Sequence, residues 1–209
     1  MACDICLFFD SETENTIRRA WSILRTRGLS SPLLRSGGKP HLTLALWEQL
    51  EPDIILDDLR SFARTHRPFQ VTFSSIATFG PESGTVFLGP VFTRELIIVH
   101  NQLYRIFNEM KDFSEGLYRP GSWVPHCSLT LGLEPPEVPE AINVCMDIIN
   151  LPIRGWINEI GLLTFDRDSV HSIRSYKLGM KNAENEYSNL DNFRRHERNF
   201  LQEDPRQQK

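Results

Sequence analysis

The sequence contains the stretch Pro40-His41-Leu42-Thr43-Leu44 and, further along, the stretch Pro125-His126-Cys127-Ser128-Leu129. Both consist of a proline, a histidine, an apolar residue, a hydroxyl residue and a leucine. This alternation of polar and apolar residues is typical of a half-buried β-strand. On such a strand the histidine and the hydroxyl residue project from one face, and the apolar residues project from the other. The pattern therefore predicts two strands that each present an imidazole and a hydroxyl group.

The surroundings of the two motifs are also similar. In the first half we predict a strand over 4–10, a capped helix from 11 to 27, the motif strand over 40–46, a helix over 53–65 and strands over 69–79 and 85–89. In the second half we predict a helix over 94–111, the motif strand over 125–131, a helix over 140–149 and strands over 156–165 and 172–178. Two such halves about a pseudo-twofold axis would bring both imidazoles and both hydroxyls into one central cleft.

The composition is that of a slightly acidic globular protein. Of the 209 residues, 40% are hydrophobic and 24% are charged, which suffices for one sizeable core or two fused lobes. The formal net charge is -4 and the pI is about 5.9. This charge argues against a broad cationic face for long nucleic acids, because that binding mode relies on many Lys and Arg contacts to phosphate. A short, local phosphate site stays open.

The character of the chain changes near Lys181. Beyond it apolar residues become sparse, and opposite charges alternate over 194–198. We therefore predict a single bilobal domain over residues 1–180 and a polar, charged tail over 181–209 that is helical or disordered. Contact of the charged cluster with RNA is the alternative to a solvated face.

Secretion and membrane insertion are not predicted. There is no run of about 18 apolar residues, and the first residues lack the basic, apolar and small-residue zones of a signal peptide. We therefore expect a cytoplasmic protein with no membrane partner. The cysteines are expected to be reduced and buried; they are Cys3, Cys6, Cys127 and Cys145. A zinc or redox pair formed by Cys3 and Cys6 is the alternative, although no second pair follows it.

Paired histidines suit the chemistry of phosphodiesters. With an ordinary pKa of about 6.5, one imidazole can accept a proton while its partner donates one to a leaving oxygen. The hydroxyls of Thr43 and Ser128 can donate hydrogen bonds to non-bridging phosphate oxygens, where negative charge grows in the transition state. This scheme requires neither a metal nor a cofactor, and we predict none.

The paired motifs resemble those of the two-histidine phosphoesterases, which include RNA 2',3'-cyclic phosphodiesterases and proteins of the bacterial 2'-5' RNA ligase type. The resemblance also rests on the lead-in Trp123-Val124-Pro125-His126 and on the repeated order of helices and strands, and it covers roughly residues 3–180. It implies an α+β fold in which two antiparallel sheets with flanking helices line the cleft. It also implies that His41, Thr43, His126 and Ser128 are catalytic, with His126 as the base toward water and His41 as the acid toward the leaving oxygen.

Four residues near the motifs are further candidates for substrate binding. Tyr118 and Trp123 could stack on a base, and Arg119 and Lys39 could hold a phosphate. Packing is the alternative for Trp123, and simple exposure is the alternative for both cations. Asp166 and Asp168 suggest a metal pair, but a solvated turn is the better interpretation. The other histidines are in no motif; they are His66, His100, His171 and His196.

These observations predict a metal-independent phosphodiesterase. We expect it to hydrolyse 2',3'-cyclic phosphate or 2',5'-phosphodiester bonds in an RNA end or a small nucleotide, and to act as a monomer. Two alternatives stay open. One is a module that binds nucleotide or RNA without turnover, and the other is 2'-5' RNA ligase activity, because hydrolysis and ligation are opposite directions of one equilibrium.

Overall fold

A computed structural model describes residues 2–29, 38–47, 52–107, 116–165, 170–180 and 187–188. The strands described are β1 (Ala2–Phe9), β2 (His41–Trp47), β3 (Phe69–Thr78), β4 (Val86–Pro90), β5 (Cys127–Thr130), β6 (Ile153–Phe165), β7 (Val170–Lys177) and β8 (Tyr187–Ser188). The α-helices described are α1 (Ser11–Thr26), α2 (Pro52–Thr65), α3 (Arg94–Phe107) and α4 (Glu137–Ile148). A short 3-10 turn covers Pro81–Ser83.

The predicted order and type of these elements are confirmed up to residue 180, where the differences concern boundaries. The short strand β8 lies in the tail, which was predicted to be helical or disordered. The second motif strand begins at Cys127, so His126 directly precedes β5 instead of belonging to it. Strand β6 starts at Ile153, three residues before its predicted start. The predicted end of the third helix over 108–111 lies outside the described residues. Most of the tail does too, but Tyr187–Ser188 pair with β7 as a short strand.

The strands are antiparallel and form a single hydrogen-bonded network in the order β2-β1-β6-β3-β4-β5, with β7 beside β6 and β8 beside β7. The α+β class is confirmed, but the division into two sheets is not. Strand β6 is the reason, because its first part pairs with β3 and its later part pairs with β1 and β7. One long strand thus runs through both halves of the molecule.

Helices cover both halves of the network. Helices α2 and α3 pack on the half that contains β2, β6 and β7, and helices α1 and α4 pack on the half that contains β3, β4 and β5. Helix α1 follows β1 in the chain but packs against β5 of the other half. This crossing lets the first half of the sequence support the second motif.

The start of helix α1 is fixed by a side-chain cap. The carboxylate of Asp10 accepts hydrogen bonds from the backbone N–H groups of Glu12 and Thr13 at 3.0 and 2.9 Å. Asp10 therefore caps the helix, because its oxygen satisfies two of the N–H groups that a helix leaves unpaired at its start. About three turns further along the helix, Trp21 faces β5 and donates to the carbonyl oxygen of Ser128.

The apolar residues of both motifs lie in the main hydrophobic core, as the alternation predicts. Leu42, Leu44, Cys127 and Leu129 are all buried there. All four cysteines are free and buried, which confirms the expectation that they are unbridged. None of the helices within the described ranges is both long and apolar enough to cross a membrane.

Candidate active site

The two motif strands come together although they stand at opposite ends of the strand order. Strands β2 and β5 lie beside each other, and the backbone N–H of His41 donates a hydrogen bond to the thiol of Cys127. Edge strands leave backbone groups that need partners. Here part of the free edge of β2 is covered by the start of the second motif.

Two tryptophans satisfy the carbonyls of the two hydroxyl residues. The indole Nε1 of Trp123 donates to the carbonyl oxygen of Thr43 at 3.0 Å, and the indole Nε1 of Trp21 donates to the carbonyl oxygen of Ser128 at 3.0 Å. Each bond crosses between the halves, because Trp123 precedes the second motif and Trp21 belongs to α1. The two motifs are therefore held by equivalent contacts.

The two histidine rings are oriented in the same way. Nδ1 of His41 lies 2.7 Å from the carbonyl oxygen of Lys39, and Nδ1 of His126 lies 2.8 Å from the carbonyl oxygen of Val124. A carbonyl only accepts hydrogen bonds, so each Nδ1 carries the proton and donates. In the neutral rings, Nε2 then keeps the lone pair that acid–base chemistry requires.

Both imidazoles are shifted toward the neutral form. Burial lowers the pKa of His41 to about 4, with a further lowering from the nearby His126, while its bond to the Lys39 carbonyl acts in the opposite direction. Burial also lowers the pKa of His126. The pKa of His41 responds to the charge of His126, and both rings remain partly exposed.

The hydroxyl of Thr43 rests on two side chains of the neighbouring strand β1. Its Oγ1 donates to Oδ2 of Asp4 at 3.3 Å and lies 3.8 Å from the thiol of Cys6. Burial raises the pKa of Asp4 to about 8, which the bond from Thr43 partly opposes. The sequence points to neither of these supporting residues. Their alternation along β1 was visible, but the pairing of Cys6 with Thr43 was not.

Aromatic rings surround His126. The rings of Phe79 and Phe87 have their centroids 5.0 and 5.2 Å from that of the imidazole, and they contact each other at 4.5 Å. Phe87 is buried, whereas Phe79 is 49% exposed. Phe79 thus presents an apolar ring beside a motif histidine. The sequence held only a weak signal for it, a phenylalanine at the end of a predicted strand.

Two of the residues predicted to bind substrate are used within the protein itself. Nζ of Lys39 lies 3.1 Å from Oε2 of Glu159 and 3.9 Å from Oε2 of Glu14, so its charge is already paired. Trp123 is 7% exposed, which favours the packing interpretation over a stacking platform. Tyr118 is half-buried and packs against the core, and Arg119 is exposed in the loop before the second motif.

A buried histidine without a motif supports this loop. His100 on α3 stacks on Trp123 with 3.9 Å between ring centroids, and its Nε2 lies 2.8 Å from the carbonyl oxygen of Tyr118. Burial lowers its pKa, although the carbonyls of Tyr118 and Leu44 both act to raise it. His100 is part of the buried face of α3. That helical spacing was the available signal for its burial.

One group of side chains within the described residues could hold a metal ion. Asp4, Cys6 and His41 each offer a ligand atom, and these atoms lie within 4.8 Å of one another. Asp166 and Asp168, considered above as a metal pair, lie outside the described residues.

The sequence from residue 9 to residue 169 matches the family model of the 2'-5' RNA ligase superfamily. The chain belongs to the 2'-5' RNA ligase superfamily. The match confirms the resemblance of the motifs to those of two-histidine phosphoesterases. This superfamily acts on phosphodiester bonds. No curated protein matches the chain.

Solved structures share the fold of this superfamily member. A structure described as a phosphoesterase is 18% identical, with a TM-score of 0.55, and the match covers 85% of this chain and 98% of that chain. LigT of E. coli, complexed with 3'-AMP, is 17% identical with a TM-score of 0.54 and the same coverage. TT0787 of Thermus thermophilus is 14% identical with a TM-score of 0.53, covering 87% of this chain and 100% of its own. At these identities the similarity establishes the fold.

Proposed function

We propose that this protein is a phosphodiesterase that hydrolyses 2',3'-cyclic phosphate or 2',5'-phosphodiester bonds in RNA ends or small nucleotides. His41 and His126 are its acid–base pair, and Thr43 and Ser128 bind the phosphate oxygens. The observation that carries the proposal is the matched pair of imidazoles, each held through Nδ1 by the carbonyl two residues earlier. Membership of the superfamily supports the phosphodiester as the bond attacked.

The reaction follows from these roles. His126 takes a proton from water as the water oxygen bonds to phosphorus. The bond from phosphorus to the 2' or 3' oxygen breaks, and that oxygen takes a proton from His41. A cyclic substrate yields a phosphate monoester and a free hydroxyl. The Ser128 hydroxyl donates a hydrogen bond to a non-bridging oxygen. The Thr43 hydroxyl does so when its one hydrogen turns from Oδ2 of Asp4 to the phosphate. Both bonds stabilise the charge that accumulates on these oxygens in the transition state.

The bound substrate favours the protonation states of the two histidines that this scheme requires. Burial makes both histidines favour the neutral form. A phosphate anion beside an imidazole favours its protonated form. Binding of the phosphodiester therefore favours protonation of one imidazole, and the charge of that ring keeps its neighbour neutral.

Small nucleotides are the substrates best supported. Phe79 beside His126 offers an exposed ring on which a single base can stack. The net charge of -4 disfavours long nucleic acids. The structures of E. coli LigT with 3'-AMP and with ATP show a protein of the same fold in complex with single nucleotides.

The direct test compares the wild type with His41→Ala and His126→Ala on a nucleoside 2',3'-cyclic phosphate in EDTA. General acid–base catalysis typically contributes about 100- to 10,000-fold, so each variant should lose activity within that range. His171→Ala, which removes a histidine of β7 outside the motifs, is the matched control and should keep its activity. Full activity of both motif variants, or loss of wild-type turnover in EDTA, would refute the mechanism.

Ligation is a second candidate, because the superfamily is named for it. The same groups could act in reverse on a 2',3'-cyclic phosphate end and a 5'-hydroxyl end. Incubation of RNA halves that bear these ends, followed by denaturing electrophoresis, would reveal joined product. Tight nucleotide binding without either reaction would instead identify a binding module.

A further inference from the structure

The face of β1 beneath the first motif carries donor groups that the proposed reaction does not use. Asp4, Cys6 and Phe8 alternate along β1, and Cys6 and Phe8 pair directly with Thr43 and His41 of β2. Cross-strand partners share one face of a sheet. Asp4 and Cys6 therefore lie on the same face as the imidazole of His41.

These donors are close to one another and mostly shielded from water. Ligand atoms of Asp4, Cys6 and His41 lie within 4.8 Å of one another. Asp4 is 6% exposed and Cys6 is fully buried. The second oxygen of Asp4, Oδ1, is buried without a hydrogen-bond partner. A buried polar oxygen without a partner is costly, and a bound cation would satisfy it.

We infer that Asp4, Cys6 and His41 form a zinc site whose occupation inhibits the enzyme. One oxygen, one sulfur and one imidazole nitrogen match the ligands of tetrahedral zinc, whereas magnesium and calcium prefer oxygen ligands alone. The ligands of a tetrahedral zinc ion stand roughly 3.3–3.8 Å apart, so small rotations of the side chains close the site. Zinc binding would displace the protons of the Asp4 carboxyl and the Cys6 thiol to solvent, and the resulting carboxylate and thiolate balance the charge of Zn²⁺, as a buried site requires.

Inhibition follows from the third ligand and rests on the proposed function. Because Nδ1 of His41 donates to the Lys39 carbonyl, Nε2 holds the lone pair that a metal would take. A zinc ion bound there occupies the nitrogen that the proposed acid uses. The ring of His41 is partly exposed, which gives the ion a route to the buried donors.

Binding is tested without reference to turnover, by titrating metal-free protein with Co²⁺ as a spectroscopic substitute for zinc. We expect one equivalent to give the charge-transfer band of a cobalt–thiolate bond and the intense visible bands of tetrahedral cobalt, both reversed by Zn²⁺ and not by Mg²⁺. Cys6→Ser should abolish the charge-transfer band. Cys3→Ser should retain it, because Cys3 is buried on the opposite face of the same strand.

Asp4→Asn provides a second variant in case Cys6→Ser fails to fold, and it should weaken cobalt binding while keeping the thiolate band. Absence of the band in the wild type, or its equal loss in Cys3→Ser and Cys6→Ser, would overturn the proposed site. Circular dichroism and thermal unfolding of each metal-free variant identify any that do not fold.

Inhibition is measured separately, as the zinc concentration that halves each protein's own zinc-free rate. For Cys6→Ser this concentration should rise by more than about 10-fold, since even the loss of an outer partner of a ligand typically costs that much affinity. An unchanged value would overturn the inhibitory role of the site. If the cobalt band forms but no cyclic phosphate is hydrolysed, the proposed function fails and the zinc site stands. If cyclic phosphate is hydrolysed but the cobalt band does not form, the proposed function stands and the zinc site fails.

Discussion

The indole nitrogen of Trp123 donates a 3.0 Å hydrogen bond to the carbonyl oxygen of Thr43. This bond ties the loop that precedes the second motif to the strand that carries the first. Trp21 makes the equivalent bond to Ser128. The two halves of the candidate site are thus positioned by each other, and disturbance of either tryptophan should affect the distant motif.

Replacement of Trp123 by phenylalanine tests this coupling. A phenyl ring can still stack on His100, but the Thr43 carbonyl loses its donor, and a buried unsatisfied group costs about 1–3 kcal/mol. We expect the free energy of unfolding to fall by that amount and kcat to fall with it. Urea unfolding and steady-state kinetics measure both. Trp47→Phe, a matched change in the core at the other end of β2, should spare kcat; an equal kcat loss there would contradict the coupling.

The Thr43 hydroxyl should act mainly in the transition state. Thr43→Val keeps the shape and removes the donor, and loss of one such donor typically lowers kcat by about 100- to 1,000-fold. We expect a decrease of that size in kcat, with a much smaller change in KM. Ser122→Ala, which removes an exposed hydroxyl from the loop before the second motif, is the control and should leave kcat unchanged. A Thr43→Val enzyme as fast as the wild type would exclude the hydroxyl from catalysis.

The motifs could be predicted because their signal is local. The alternation of His41 and Thr43 with Leu42 and Leu44 fixes which side chains share a face, whatever the rest of the fold does. The burial of both leucines confirms this part. The repeat of the pattern around His126 was equally visible.

The surroundings of the site could not be predicted because they depend on the pairing of distant segments. Nothing near Thr43 in the sequence indicates that Asp4 and Cys6 lie beneath it, since the register of β1 with β2 sets that contact. The stacking of Trp123 on His100 likewise joins a loop to a helix. The motif therefore singles out Trp123, but the sequence alone does not predict that this residue is buried.

Phe79 should contribute to the binding of nucleotides. Stacking of a base on an aromatic ring is worth about 1–3 kcal/mol, so Phe79→Ala should raise KM for a nucleoside cyclic phosphate by about 5- to 150-fold. Phe92→Ala is the control, because Phe92 is similarly exposed (52%) but contacts Trp123 instead of a motif histidine. Competition with free nucleosides provides a second measurement. Equal KM values for the two variants would argue against a stacking role.

His100 should make the folded protein less stable in mild acid. Burial lowers its pKa below the usual 6.5, so below about pH 6.5 the unfolded chain binds a proton that the folded protein does not, and the free energy of unfolding falls. His41 and His126 act in the same direction. His100→Phe removes one of the three groups. The variant should be less stable than the wild type at every pH, because it loses the bond to the Tyr118 carbonyl. Between about pH 7 and 5, however, its free energy of unfolding should fall less than that of the wild type. Urea unfolding across this range measures the slope, and identical slopes for variant and wild type would show that His100 titrates normally in the folded protein.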